Sequence, residues 1–536
     1  MRRDGSLPFH RSHAMQNSFA NARPGSRRQI LKSAAQVGLL GCYGTQRVAW
    51  GQAMAPFTAA PIGSPLWRAA SRVGYGPSPA LLAEIRQAAT PQAWALAQVD
   101  LAWSASRQAP QIAPEIAGFN AALPVLFEGA KNEREARKLL KAGEIDDGGP
   151  PQLRRMDFSG LTDPVHFSRT MVLQATAWRL TSASRPELEN PLLARLTEFW
   201  FNHLNVFVGK GSVRPLTGHY LVNVARAHAL GKFEDLLLAS ARHPAMLGYL
   251  DQAQSVAEGS PAGPGKTRGL NENYARELME LHTLGVDGGY TQADVRELAR
   301  VLTGWTIAPQ DASGYRFAGR LHDTGRKRVL DTYFPYDASR PGEQEGVDAI
   351  RMLARHPATA RRVCLRLAKY FVADEPPDTL MQRLAQSFSA SQGDLKEVVR
   401  TLLQSPEFWD PQHRLFKTPQ DYAFSALVAT QGATAQARLP ESHRKSMLLT
   451  TGFLSGAGQA LFGWQTPDGY AFDAGTWLVP EALTRRADFA LSLARGLPAL
   501  DYLDPLLGAA TREAIAQENV NLRAGMALAS PEFMWK

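Results

Sequence analysis

From Pro164 onward the apolar residues of this chain recur at helical spacing almost without a break, and that periodicity restricts the fold more than any other feature. The 3.6-residue pattern marks segments near 165–182, 190–207, 217–229, 233–241, 244–251, 271–284 and 291–304. It resumes at 343–355, 357–373, 377–390, 394–404 and 418–430, and further helical stretches lie upstream near 80–89, 92–104 and 115–139. Strands are expected in one place, Gly314 to Leu330, as a small β-hairpin turning at Asp323-Thr324-Gly325. The pattern predicts an all-α protein: a large multi-helix domain over 161–536 with a small β-hairpin insertion. A helical segment over 56–160 precedes it, and the Gly-, Pro- and Asp-rich stretch 141–160 reads as a mobile loop. Ser405-Pro406-Glu407-Phe408, Ser530-Pro531-Glu532-Phe533, His243-Pro244 and His356-Pro357 share one logic. Each stops an apolar helix before a proline that opens the next.

The densest set of reactive side chains lies in Asn271 to Trp305, NENYARELMELHTLGVDGGYTQADVRELARVLTGW. Asn271 caps a first helix, Gly285 ends it, and Thr291 with Asp294 forms a capping box for a second. The short GVDGGY between them predicts an antiparallel helical hairpin. The preceding 252–270 is a long Gly/Pro loop, and 452–477 reads as a second loop-rich, aromatic region.

The formal charge of +9 suggests a nucleic-acid partner, but its distribution argues against one. Residues 1–55 carry eight basic residues against one acid, so seven of the nine charges sit there and the rest is nearly balanced. Ser26-Arg27-Arg28-Gln29-Ile30-Leu31-Lys32 resembles the twin-arginine export motif, followed by a short, weakly apolar segment at 33–46. Cleavage after Ala55 would release a periplasmic or secreted protein carried by the twin-arginine machinery. Alternatively, Leu39-Leu40-Gly41-Cys42 resembles a lipoprotein box that would anchor the chain to a membrane through Cys42. The other cysteine, Cys364, sits at helical spacing with Ala360 and Leu367 and reads as an inert buried thiol.

Helical geometry sorts the candidate chemistry. At 100° per residue, Asn273, Glu277 and Glu280 share one side of the first hairpin helix, and Tyr274, Leu278, Leu281 and His282 share the other. His203 falls on an apolar stripe with Leu196, Phe199, Trp200 and Phe207, whereas His322-Asp323 sits at a turn free to reach inward. His203, His282 and His322 would make a transition-metal ligand set, with Glu277, His282 and Asp323 as acid–base groups. The competing reading is structural: a solvated face for the glutamates and satisfied core positions for the histidines. The tryptophans at 305, 409, 464, 477 and 535 either stack on sugars or fill a helical core. No GxSxG, P-loop, HExxH or CxxC is present.

Taken in order, these segments resemble the bacterial family called domain of unknown function 1800. The residues that carry the resemblance begin with Arg72-Val73-Gly74-Tyr75-Gly76-Pro77, Phe199-Trp200-Phe201-Asn202-His203 and Pro244 to Asp251. Asn271 to Trp305, His322 to Gly325, His356 to Ala360, Phe371 to Asp374, Ser405 to Phe408 and Pro467-Asp468-Gly469-Tyr470 complete them. Gln252 stands where that family usually has Asn. The resemblance implies an exported, mainly helical protein that works beside a second exported, sulfatase-like protein, and it supplies no catalytic residue. Two functions are therefore expected to compete: a metal-dependent enzyme with its pocket against the hairpin, and a non-catalytic scaffold for that partner.

Overall fold

A computed structural model describes residues 63–143, 164–263, 266–335, 342–432 and 440–536. The expected leader, with Arg27, Arg28, Cys42 and Ala55, and the expected loop beyond Gly143 lie outside the described residues. The helices form where the periodicity places them, among them Phe167–Ser184, Pro191–His203, Phe233–Arg242, Glu343–Arg355, Pro357–Phe371, Asp378–Ala390 and Leu395–Gln404. Pro191–His203 is the buried axis. Leu192, Leu193, Leu196, Phe199 and Trp200 are all fully buried, and it packs on Pro91–Ser106 and on the segment Leu221–Arg226. Among the described residues no helix is long and apolar enough to cross a membrane.

The proline junctions are capped in an informative way. His243 Nδ1 accepts the N–H of Ala245 at 3.1 Å, and His356 Nδ1 accepts that of Ala358 at 3.2 Å. In each His-Pro pair the imidazole does the work usually given to Ser or Asp, and proline fills the first helical position.

Three expectations are corrected. The span 115–139 divides into a 3-10 turn, Pro114–Asn120, and a helix, Leu123–Ala142. The loop expected from Gly452 starts later, because the helix Pro440–Gly456 runs into it. The single β-hairpin is replaced by three antiparallel ribbons: Ser260–Gly263 with Lys266–Arg268, Trp305–Ile307 with Tyr315–Phe317, and Lys327–Val329 with Thr332–Phe334. Asp323 to Gly325 does not turn a hairpin because the Asp323 carboxylate is claimed by Arg300 and by the Gly325 N–H.

The hairpin of 271–305 forms, with one irregularity. Its first arm is α-helical over Asn273–Glu277 and then widens into a π turn, Leu278–His282. The Thr283 hydroxyl donates to the Leu278 carbonyl at 2.6 Å and fills the wider turn. The Asn271 side chain accepts the N–H of Asn273 at 3.0 Å, and Gly285 leaves the helix at φ 88°. Thr291 and Asp294 cap the second arm, Gln292–Val301, reciprocally.

The first and last described elements meet. Phe416 pairs with Trp535 as an antiparallel bridge, and Leu415 and Lys536 exchange main-chain hydrogen bonds of 2.9 Å. Arg72, from the π turn Ala69–Val73, donates to the main-chain oxygen of Lys536 at 3.0 Å.

Candidate functional site

The structure brings two of the three candidate histidines together. His203 ends the axial helix and His282 ends the π turn, with their ring centroids 6.3 Å apart. His203 Nε2–H donates to the His282 main-chain carbonyl at 3.1 Å, which fixes the proton on Nε2 and leaves a lone pair on Nδ1. Among the described residues neither His203 Nδ1 nor His282 Nε2 has a hydrogen-bond partner. Burial, reinforced by the charges of Arg362 and Arg366, pushes His282 down to about 3. Burial, Arg366, His282 and Arg362 hold His203 well below the usual histidine range. Both rings are neutral at physiological pH.

The two arginines are one turn apart on the helix Pro357–Phe371. Arg362 Nε donates to the Leu281 carbonyl at 2.9 Å, and Arg366 Nη2 donates to the Asp468 carbonyl at 3.3 Å. Burial lowers Arg362 against the opposing charge of Glu280, and burial together with Arg362 brings Arg366 down to about 10. A Cβ on Gly285 would lie 3.3 Å from Arg362 Nη1, so the turn that ends the helix also seats this guanidinium.

Three carboxylates rim the cluster, and only one is unspent. Glu280 accepts from the Tyr290 hydroxyl at 3.4 Å. Asp468 accepts from Trp464 Nε1 at 2.8 Å and from the Thr466 hydroxyl at 2.6 Å. Arg276 pairs with Glu272 at 3.4 Å and leaves Glu277 alone. Glu277 is half-buried, and among the described residues no hydrogen bond or ion pair engages it. Burial raises its carboxyl above the usual range; Glu280 and Asp468 raise it further, against a lowering by Arg276. The Tyr249 hydroxyl nearby is raised by burial and by Asp468 and Glu277, and it donates to the Gln465 carbonyl at 2.6 Å.

Asp468 is the member that sequence reasoning missed. Its loop is tied to the axial helix by Asn202, which donates to the Tyr470 carbonyl at 2.9 Å and accepts the Tyr470 N–H at 2.8 Å. Asn205 adds bonds to the carbonyls of Trp464 at 3.1 Å and Thr466 at 2.8 Å. A Cβ on Gly469, at φ 74°, would sit 2.0 Å from the Asn202 carbonyl, so the close approach requires glycine there. The signal was available in Asn202 and Asn205 flanking His203, and in the Pro467-Asp468-Gly469 turn.

His322 and Asp323 do not join this group. His322 Nδ1–H donates to the Thr303 carbonyl at 2.9 Å, while Nε2 faces Glu345 Oε1 at 3.3 Å and Lys327 Nζ at 3.4 Å. Lys327 closes that network on Glu345 at 2.7 Å, and all three side chains are buried. Asp323 faces outward to Arg300, which grips both carboxylate oxygens at 2.8 and 3.1 Å. Against the upward push of burial, Arg300 and the Gly325 N–H hold Asp323 below the usual carboxylate range. The two neighbours alternate along an extended chain and point to different partners, so each is spent on structure. Among the described residues no three His, Cys, Asp or Glu side chains gather to hold a metal ion. The three-histidine ligand set is therefore not assembled.

The expected wheel survives in part. Tyr274, Leu278 and His282 are buried and Glu277 and Glu280 are not, but Leu281 is only half-buried and Met279 fully buried instead. The π turn shifts the register that a uniform 100° step assumes. Cys364 is buried, and burial pushes its thiol up to about 12, as expected of an inert side chain. The tryptophans do not form an exposed row: Trp305 is fully buried, Trp477 nearly so, and Trp464 is half-buried against Tyr470 at 4.6 Å.

No curated protein and no solved structure matches this chain. A family model described as protein of unknown function (DUF1800) matches residues 68–535, which include the axial helix, the hairpin and the 464–470 loop, and the chain belongs to that family.

Proposed function

We propose that this is an exported enzyme whose acid–base group is Glu277, working at the open face between the first hairpin helix and the 464–470 loop. One observation carries the reading. Glu277 is a half-buried carboxyl without a partner, flanked by two other carboxylates, with its proton affinity raised by burial and by their charge. Arg362 and Arg366 would hold an anionic part of the substrate. The neutral pair His203 and His282 would set the polarity behind them without adding charge. Because the three histidines do not gather, no metal enters this scheme.

Export through the twin-arginine machinery, directed by Arg27 and Arg28 and completed by cleavage after Ala55, belongs to the same proposal. So does an exported sulfatase-like partner. A second reading, a non-catalytic accessory of that partner, is favoured by the openness of the face. The cleft of about 310 Å³ lined by Glu84, Gln98, Glu187, Glu189 and Arg226 shares no lining residue with it.

The test is a screen of purified protein on chromogenic glycosides and on carboxylic, phosphate and sulfate esters, with E277Q in parallel. The enzyme reading expects an activity that E277Q lowers roughly 100-fold or more, with the unfolding temperature unchanged. Equal turnover by the two proteins, or none by either, gives the face to the accessory reading.

A further inference from the structure

A second charged cluster lies in the core, between the elements that join the two ends of the described chain. Arg72, Arg195, Lys417, Arg486 and Lys536 converge there, each no more than 4% exposed. One side-chain carboxylate, Asp421, answers them. Its Oδ1 accepts from Arg195 Nη1 at 3.1 Å, and its Oδ2 accepts from Lys536 Nζ. Several cationic donors are left over. Among the described residues Lys417 Nζ, Arg486 Nη1, Arg195 Nε and Nη2, and Arg72 Nε are buried without a hydrogen-bond partner.

Aromatic faces take up part of this charge. Lys417 Nζ lies 4.2 Å from the ring centre of Phe533, Arg195 stands 4.6 Å over Tyr75, and Arg486 stands 4.2 Å over Phe416. A ring face attracts a cation but carries no net charge. It therefore leaves five positive side chains facing two carboxylates, that of Asp421 and the main-chain carboxylate of Lys536 that Arg72 meets, in surroundings that screen poorly. A buried water would satisfy a donor and leave the surplus as it is. Only an anion answers both the charge and the unpartnered donors.

We infer that this cluster is a binding site for one small monovalent anion of halide size, held by Lys417 Nζ and the spare guanidinium N–H groups of Arg195 and Arg486. A small ion is the one that suits a closed site: Lys417, Arg195, Trp67 and Tyr422 have no exposure, so whatever binds is enclosed among packed side chains. The site is distinct from the face at Glu277. It ties Ala69–Val73, the axial helix, the segment around Lys417 and the strand-like Trp535–Lys536 to one counter-ion. The competing way to relieve the surplus is proton loss, since burial holds Lys417 well below the usual lysine range and brings Lys536 down to about 7.

The test is thermal and denaturant unfolding of the full chain in sodium chloride against sodium gluconate at constant ionic strength, with K417M as the comparison. Lys417→Met keeps the volume and the aromatic contacts and removes the charge. The site predicts a wild-type midpoint that climbs with chloride concentration and a K417M midpoint that does not. It also predicts an anomalous peak beside Lys417 Nζ in a crystal grown in bromide. Equal wild-type midpoints in chloride and gluconate, or a chloride dependence that K417M retains in full, would overturn the inference and assign the surplus to a neutral lysine.

Discussion

At the scale of single residues, the neutral histidines make stability depend on pH with a definite sign. His282 is pushed down to about 3, burial brings His219, whose Nδ1 meets His243 Nε2 at 2.9 Å, down to about 4, and both regain an ordinary value near 6.5 on unfolding. Between those limits the unfolded chain binds more protons, so the folded state is most stable above pH 6.5 and weakens as pH falls toward 4. Each such histidine contributes a slope of about 1.4 kcal/mol per pH unit. Urea unfolding at pH 7, 6 and 5 should show this loss, and H282Q should flatten it by about one proton's worth. A wild-type profile flat over that range would contradict the neutral assignment. A second prediction concerns Glu345, whose carboxylate binds Lys327 at 2.7 Å with both side chains at most 1% exposed. Removing one partner strands the other, so E345Q should cost about 3–5 kcal/mol, read as a drop in the unfolding midpoint. The pairing of His203 with His282 was legible as two histidines on apolar faces, and the partial exposure of Glu277 at the rim, against the burial of His282, followed from the helical wheel. The loss of His322 was not legible, because its partners Lys327 and Glu345 look like ordinary surface charges in the sequence.

At the scale of elements, the hairpin was legible because its signals are local. Thr291 and Asp294 sit three residues apart and close on each other, with the Asp294 carboxylate 2.8 Å from the Thr291 N–H. T291A should therefore cost about 1 kcal/mol and lower the midpoint without altering the site. The π turn left no such mark, since a threonine that bonds back to the Leu278 carbonyl looks in sequence like any other helix-end threonine. T283V removes the hydroxyl from the Leu278 carbonyl, at an expected cost of about 1 kcal/mol. Unlike T291A, it should also disturb the His282 carbonyl that His203 uses. Nuclear magnetic resonance of the two imidazoles separates these outcomes: T283V shifts the His203 ring signals and T291A leaves them in place. The ribbons were misplaced for a related reason. Strands of three or four residues carry too little pattern to compete with a side-chain turn, and the pairing of Trp305–Ile307 with Tyr315–Phe317 spans a loop no periodicity describes.

At the scale of the whole molecule, seven of the nine net positive charges fall within residues 1–55, and the export proposal rests on them. Lysine substitutions at Arg27 and Arg28 keep the charge and remove the guanidinium pair, so the double variant should accumulate in the cytosolic fraction while the wild type reaches the periplasm. Cell fractionation with an antibody against the mature chain checks this, and equal distribution would remove the export proposal. The bulk of the fold was legible at this scale too, because long amphipathic helices announce themselves. The core cluster was not: Arg72, Arg195, Lys417, Arg486 and Lys536 are scattered over more than four hundred positions, and only the folded chain gathers them.

The bridge between Phe416 and Trp535, with Arg72 bonded to Lys536, has a consequence in time. Pro65–Val73 is made hundreds of residues before the strand that completes its surroundings, so its buried arginines have no seat while the ribosome is still working. Contacts this distant in sequence slow folding and leave apolar helices uncovered in the interval. That contact can close only once Trp535 and Lys536 have been synthesised. A carrier that accepts only finished folds would have, in that closure, a single late feature separating a complete molecule from an incomplete one.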